Sequence, residues 1–255
     1  MIFGTGTGPV LVVAPHPDDE TFGAGGLLLR ARAAGRPIHW LIVTGITTAD
    51  GWPADKVERR RHEIDAVAAA YGFDGVHRLD LPSTRLDTLP AGDVVGAIGK
   101  VVKGVAPEIL LVPHLGDAHT DHHVVHTAAA ACAKWFRYPS VKTTLVYETL
   151  SETDAGLFTA SPFVPDVFVD ISAQLDDKLR IAEMFGDELG AFPFPRSLEA
   201  LAALAAVRGA ACGARAAEAF MLLRAVVGTG DGAARIDAQA RAAASIIRRT
   251  MVKSI

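Results

Sequence analysis

The stretch PVLVVAPHPDDE, residues 9–20, joins a purely apolar run to a cluster of ionisable side chains. Its first half predicts a strand buried on both faces, as in a parallel sheet. Similar apolar runs return at residues 39–44 and 108–113, and a weaker one at 76–81. Helical patterns follow these runs, over residues 26–35, 55–71, 91–105 and 122–136. The alternation predicts an α/β fold, Rossmann-like, with a mostly parallel sheet flanked by helices.

The second half of the chain is less regular. Strand patterns over residues 143–148 and 167–171 precede a helical pattern over 173–188, and an Ala-rich helix is expected from Leu198. We find no linker and no internal repeat, so residues 1–227 are predicted to form one domain with an elaborated C-terminal part. Residues 228–255 are predicted to add a basic, amphipathic helical extension. This helix has three open interpretations: it packs on its own domain, contacts a second copy in a homo-oligomer, or lies on an anionic membrane surface.

Composition argues against several classes of protein. The chain has 255 residues, of which 50% are hydrophobic and 21% charged, and its formal net charge is −4. That balance disfavours a nucleic-acid partner, which would select a basic surface. Two cysteines are too few for a disulfide framework or a Cys-based zinc site. The first residues lack the basic region of a signal peptide, and no apolar run reaches the length of a transmembrane helix. We therefore expect a cytoplasmic protein with no transmembrane segment.

The first cluster of chemically active side chains is His16-Pro17-Asp18-Asp19-Glu20, directly after the first predicted strand. His16 and Asp19 are three residues apart across a strand-to-helix turn, so they can converge on one metal ion. Asp18 would then point toward whatever the metal holds. The alternative is that the acidic residues only cap the following helix, where its dipole favours negative charge, and that His16 is a turn residue.

The second cluster is PHLGDAHTDHH, residues 113–123, which follows the fourth predicted strand. His119 and His122 are three apart where a helix begins and share one face, and Asp121 can orient an imidazole. The alternative is a hydrophilic loop whose histidines face solvent. In a parallel sheet, ligands bind beyond the carboxyl ends of the strands, where both clusters are predicted to lie.

Together the clusters supply two histidines and a carboxylate, with further acids and a further histidine nearby. Three protein ligands with an open fourth position describe catalytic zinc, and the same set can hold non-haem iron. A metal, a base and an acid indicate a hydrolase. From these residues alone, the bond cleaved stays open among amide, ester and phosphate.

The sequences APHPDDE (14–20) and HTDHH (119–123) resemble the two signatures of the PIG-L/LmbE-like deacetylase family. Members are metal-dependent enzymes with a Rossmann-like fold that remove N-acetyl groups, mostly from N-acetylglucosamine-containing substrates. Two departures are visible. Pro15 stands between the Ala and His of the family pattern. Some members carry a Tyr two residues before the first His of the second signature, where this chain has Asp117, which implies a larger role for His119.

The resemblance implies a role for each residue of the two signatures. Three residues would hold the metal: His16, Asp19 and His122. Asp18 would be the general base, His119 would stabilise the oxyanion or act as an acid, and Asp121 would tune His119. Three residues from softer similarities are candidate substrate contacts, with a surface ion pair as the alternative for each: Arg60, Glu148 and Arg196.

The function predicted on these grounds is a zinc-dependent hydrolase, with Fe²⁺ or another divalent metal as alternatives. It would remove the N-acetyl group from an N-acetylglucosamine-type amino sugar and release acetate. The small-molecule amino sugar would be free, or part of a glycoside, nucleotide or lipid conjugate. One alternative is an amidase that acts on a larger N-acyl conjugate with the same metal site. Another is a non-catalytic nucleotide-binding module, which would bind no stoichiometric metal.

Overall fold

A computed structural model of the protein describes residues 6–156 and 161–227. The strands within them are β1 (Val10–Ala14), β2 (Ile38–Gly45), β3 (Gly75–Pro82), β4 (Ile109–Pro113), β5 (Thr143–Tyr147), β6 (Val167–Asp170) and β7 (Ala217–Ala225). The helices are α1 (Asp19–Ala33), α2 (Ala54–Tyr71), α3 (Ala91–Val105), α4 (Thr120–Ala131), α5 (Leu175–Ala182) and α6 (Leu198–Cys212). Three short 3₁₀ turns cover Thr48–Asp50, Leu86–Thr88 and Gly186–Glu188.

The described strands form one sheet in the order β3-β2-β1-β4-β5-β7-β6. The first five strands of the chain run parallel, with Val10 opposite Ile38 on one side and Ile109 on the other. β7 runs antiparallel to both β5 and β6. This confirms the predicted Rossmann-like, mostly parallel sheet. It also places β1 and β4, which precede the two signature segments, side by side.

Both faces of the sheet are covered by helices, because successive residues of each buried strand point to opposite sides. Val10, Val12 and Ala14 of β1 pack in one apolar cluster with residues of α1, α2, α5 and α6. Leu11 and Val13 pack in a second cluster with residues of α3 and α4. The continuous apolar runs in the sequence therefore correspond to strands between two helical layers.

The start of α1 differs from the sequence prediction. The helix begins at Asp19, whereas the sequence indicated a start near residue 26. Glycines in its first turns weaken the helical pattern, but close packing requires them. A Cβ at Gly23 would lie 2.3 Å from Tyr147 Cδ2, and one at Gly26 would lie 2.6 Å from Ile171 Cγ2. Tertiary packing thus overrides local propensity here.

The C-terminal half departs further from the prediction. β7 was not predicted, and the helix expected over residues 173–188 is α5 followed by a separate 3₁₀ turn. α4 ends at Ala131 and not at residue 136. The predicted C-terminal extension, residues 228–255, lies outside the described residues. Among the described helices, none is long and apolar enough to cross a membrane.

Candidate metal and active site

The two signature segments meet at the carboxyl edge of the sheet. His16 follows β1 and Asp19 begins α1, while His119 and His122 flank the first residues of α4. The ring of His16 lies with its centroid 4.5 Å from that of His119 and 5.4 Å from that of His122. Pairing of β1 with β4 therefore brings together residues that are about a hundred positions apart in the chain.

Three of these side chains converge in the way that a metal ion requires. Asp19 Oδ2 lies 3.4 Å from His16 Nδ1 and 3.4 Å from His122 Nε2. These three side chains offer ligand atoms that all lie within 4.8 Å of one another. His122 Nε2 is buried and has no hydrogen-bond partner among the described residues. Since a buried polar atom without a partner is costly, this nitrogen fits a divalent cation held by His16, Asp19 and His122.

The other nitrogen of His122 is fixed by Asp117. Its Nδ1–H donates to Asp117 Oδ2 at 2.7 Å, and the Thr153 hydroxyl donates to Asp117 Oδ1 at 2.6 Å. Asp117 is fully buried. A carboxylate behind a histidine selects the tautomer whose remaining nitrogen can bind metal. In the sequence, Asp117 stood out only as a departure from a Tyr, although it lies in the second signature loop, five residues before His122.

A carboxylate also lies behind His16, at the ring nitrogen that does not face the cluster. Its Nε2 lies 3.1 Å from Asp121 Oδ2. The Asp121 carboxylate also accepts the backbone N–H groups of Thr84, at 2.7 Å, and Leu86, at 3.1 Å. Burial raises the pKa of Asp121, but these hydrogen bonds outweigh it and the net shift is downward. An ionised Asp121 thus orients His16 with Nδ1 toward the cluster.

Asp121 was expected to tune His119, and the structure connects the two through the backbone. The Asp121 N–H donates to His119 Nδ1 at 3.1 Å, so this imidazole caps α4. A neutral His119 whose Nδ1 accepts must carry its proton on Nε2. Burial, reinforced by the nearby His16, lowers the pKa of His119 to about 4. His119 is therefore a neutral donor at the cluster, while the Asp121 side chain serves His16.

Asp18 is buried beside the three converging ligands in a strained conformation, with a φ of 152°. Its N–H donates to Glu20 Oε2 at 3.0 Å, and its own Oδ2 lies 3.6 Å from an Arg196 Nη1. Burial, together with the charges of Asp19 and Glu188, raises the pKa of Asp18 to about 8. A cation at the cluster would oppose that rise, because positive charge favours the carboxylate.

A cavity of about 420 Å³ opens over these groups. Arg60 and Arg196, both predicted substrate contacts, line it. Arg60 donates to the Pro17 carbonyl at 2.9 Å and pairs with Glu188. Arg196 Nη2 lies 3.5 Å from Glu188 Oε2. Glu152 also lines the cavity, beside these arginines and Glu188. Neither Glu152 nor Glu188 was singled out as a site residue from the sequence.

The structure places Glu148 away from this cavity, although the sequence suggested a substrate contact. Both of its carboxylate oxygens accept hydrogen bonds from Arg208, at 2.8 and 2.6 Å. The pair lines a neighbouring depression with His114 and Thr149. Arg208 thus balances the charge of Glu148, and Glu148 is not among the residues that line the cavity over the candidate metal ligands.

Comparisons with known proteins agree with this geometry. Residues 11–133, which contain both signatures, match the family model described as PIG-L, GlcNAc-PI de-N-acetylase. The chain is 27% identical over 215 residues to 2'-N-acetylparomamine deacetylase of Streptomyces fradiae, covering 71% of this chain and 74% of that protein. It is 27% identical over 182 residues to diacetylchitobiose deacetylase of Thermococcus kodakarensis, covering 67% and 66%.

The fold is also similar to that of a solved structure. A conserved protein of Thermus thermophilus superposes with a TM-score of 0.68 at 26% identity, covering 87% of this chain and 97% of that one. The matched region of the family model spans β1 to α4 and includes all the side chains that converge at the carboxyl edge of the sheet. Over this matched region the chain is similar to the PIG-L/LmbE-like family of deacetylases.

Proposed function

We propose that this protein is a metal-dependent hydrolase that removes the N-acetyl group from an N-acetylglucosamine-type amino sugar and releases acetate. One observation carries the proposal: the buried, unpartnered His122 Nε2 lies 3.4 Å from Asp19 Oδ2, and Asp19 lines a cavity together with His16 and Asp18. The relatives named as deacetylases of N-acetylated sugars support the same chemistry. We propose Zn²⁺ as the metal, with Fe²⁺ as the alternative that this donor set also suits.

The metal would be held by His16, Asp19 and His122. When bound, a divalent cation lowers the pKa of water and polarises a carbonyl oxygen. The three side chains need little rearrangement for this task, because Asp121 and Asp117 already fix the two imidazole rings. Support behind the ligands of this kind contributes strongly to affinity.

Asp18 is the proposed general base. It lies next to Asp19 in the chain yet takes no part in the ligand set, and its carboxylate lines the cavity. It would accept a proton from the water that attacks the acetamide carbonyl. The accepted proton is then available to the departing amine, so that acetate and a free amino sugar leave.

His119 is the proposed partner of the oxyanion. The hydrogen bond at its Nδ1 fixes the neutral tautomer that carries a proton on Nε2, and its ring lines the cavity. A donor held in place before the reaction stabilises the negative charge that develops on the carbonyl oxygen. Arg60 and Arg196 are the proposed contacts to the sugar. Arg196 lines the cavity, and its Nη1 lies 3.6 Å from Asp18 Oδ2.

Further proposals concern the setting of the enzyme. We propose that it acts in the cytoplasm on a small molecule and without a nucleic-acid partner, in line with its net charge of −4 and two cysteines. The division into a domain over residues 1–227 and an extension over 228–255 stays a prediction. So does the contact between copies through that extension. Truncation after Val227 followed by mass measurement in solution tests it, and an unchanged oligomeric state would contradict it.

Acetate release from a panel of N-acetylated sugars, assayed with Zn²⁺ and with Fe²⁺, tests the proposed function. We expect turnover of at least one N-acetylglucosamine derivative, and loss of both metal and turnover in His122→Ala. Hydrolysis restricted to larger N-acyl conjugates would favour the amidase alternative. A purified protein that binds no stoichiometric metal would favour the binding module.

A further inference from the structure

A buried ion pair lies outside the cluster of metal and catalytic residues. Lys178 of α5 and Glu218 of β7 are joined at 2.7 Å, and their side chains are 5% and 4% exposed. Burying two charges is costly unless further hydrogen bonds satisfy them. The bonds that satisfy this pair are therefore informative about its purpose.

Those hydrogen bonds go to the backbone of α1. Lys178 Nζ donates to the Phe22 carbonyl at 2.9 Å. Glu218 accepts the N–H groups of Gly26, at 2.7 Å, and Leu27, at 2.8 Å. In a regular α-helix the Gly26 N–H donates to the Phe22 carbonyl four residues earlier. The ion pair thus contacts the donor and the acceptor of one such hydrogen-bond position. The acceptor, the Phe22 carbonyl, lies at the end of the first helical turn, which begins at Asp19.

The glycines of α1 lie where the helix packs closely against neighbouring side chains. A Cβ at Gly25 would lie 2.4 Å from the Tyr71 hydroxyl, and Gly26 has the close contact with Ile171 described above. A side chain that inserts into the i→i−4 ladder changes the direction of a helix. A cation at a carbonyl and an anion at two amides also match the charges of helix ends, so the pair stabilises the backbone groups that it contacts.

We propose that Lys178 and Glu218 are positioning residues that set the direction of the first turn of α1 and thereby hold Asp19 in reach of His16 and His122. This inference rests on the proposed role of Asp19 as a metal ligand. Asp19 is the single ligand supplied by α1, while His122 is supplied by α4. Without the ion pair, we expect the first turn to shift relative to α4 and the ligand atoms to separate.

The test measures Zn²⁺ affinity by competition with a chelating dye, with no substrate present. In Lys178→Met/Glu218→Met both charges are removed, and an apolar replacement of a buried ion pair is often neutral or stabilising. We expect this variant to fold and to bind Zn²⁺ roughly 10- to 100-fold more weakly than the wild type, the range for residues that support ligands. Lys178→Arg keeps the charge and should retain most of the affinity.

Arg36→Met is the matched control. It breaks the part-buried Arg36–Glu108 pair, joined at 2.9 Å near the amino ends of β1 and β4. We expect it to lower the melting temperature and to leave Zn²⁺ affinity within about twofold, because it lies at the edge of the sheet opposite to the ligands.

Three outcomes decide the inference. A folded double variant that binds Zn²⁺ as tightly as the wild type would overturn it. If the double variant does not fold, the Zn²⁺ affinity of Glu218→Gln is measured in its place, since glutamine keeps the shape of the side chain. Wild-type affinity in that variant would likewise overturn the inference. At saturating Zn²⁺ we expect a lower kcat with little change in KM, because the cavity wall formed by Arg60 and Arg196 is untouched. A wild type that binds neither Zn²⁺ nor Fe²⁺ would instead contradict the proposed function itself.

Discussion

The strongest test of the site geometry is Asp117→Asn. The carboxylate accepts two hydrogen bonds, from His122 Nδ1–H at 2.7 Å and from the Thr153 hydroxyl at 2.6 Å. An asparagine of the same shape offers one acceptor oxygen and one NH₂ group. If the oxygen faces His122, the NH₂ group can donate to the Thr153 hydroxyl, and the fold is preserved. The negative charge behind His122 is then the main loss.

The expected magnitude follows from this single change. Replacing a partner behind a metal-bound histidine typically costs 10- to 100-fold in affinity, which corresponds to about 1.4–2.7 kcal/mol at about 1.4 kcal/mol per tenfold. If the NH₂ group faces His122 instead, the imidazole must place its proton on Nε2, and the loss becomes larger. Either orientation gives weaker binding with an intact fold.

The assay is Zn²⁺ binding by dye competition, with thermal unfolding of the metal-free protein as a check on folding. Thr153→Val is the matched control, since it removes one hydrogen bond to Asp117 but leaves the carboxylate in place. Its expected cost is about 1 kcal/mol, or roughly fivefold in affinity. An Asp117→Asn protein that binds Zn²⁺ as tightly as the wild type would refute the assignment of Asp117 as the partner of His122.

Asp18→Asn should keep bound Zn²⁺ while acetate release falls by roughly 100- to 10,000-fold, the contribution of a positioned base. Asp19→Ala should lose both the bound Zn²⁺ and the acetate release. If Asp18→Asn loses Zn²⁺ and Asp19→Ala retains it, the two roles are exchanged. In the metal-free protein, burial lowers the pKa of His16, but its carboxylate partners outweigh this and raise it to about 9. Since metal must displace that proton at lower pH, Zn²⁺ affinity should rise with pH up to about 9 and then level off, which calorimetry in buffers of different ionisation enthalpy measures. Gly23→Ala should destabilise the fold by about 1–3 kcal/mol, because its Cβ meets an aromatic ring. Gly96→Ala on α3 meets nothing within 4 Å and should stabilise by about 0.5–1 kcal/mol in the same denaturant titration.

The sequence predicted the parallel core of the fold because its strands are buried on both faces. Such strands read as continuous apolar runs, as at residues 10–14 and 109–113, and the intervening helices carry visible ends such as Gly72. β7 escaped prediction because its second half is only partly buried or exposed and it follows an Ala-rich helix whose composition it continues. The start of α1 escaped because its glycines serve contacts with distant residues, which no local pattern contains.

The candidate site likewise contains residues that the sequence could indicate and residues that it could not. Residues that directly follow the ends of neighbouring buried strands are brought together by the order of the strands in the sheet. His16, Asp19 and His122 could therefore be grouped from the sequence. Glu188 could not, because it reaches the cavity from a 3₁₀ turn with no motif of its own and is identified only by its pairing with Arg60 and Arg196. Glu148 stays a predicted substrate contact, and its pairing with Arg208 depends on a residue sixty positions away that no local pattern indicates.

The order of the elements along the chain has a consequence for synthesis. All the candidate metal ligands lie before the end of α4, whereas the cavity wall at Glu188 and Arg196 and the support of α1 at Lys178 and Glu218 come from later elements. A ribosome therefore exposes a full set of ligands well before it has made the residues that enclose and align them. During that interval the ligands are open to whichever ion the surroundings supply. If these residues bind a metal as proposed, selection among metals would then fall to the completed fold, after β7 has joined the sheet.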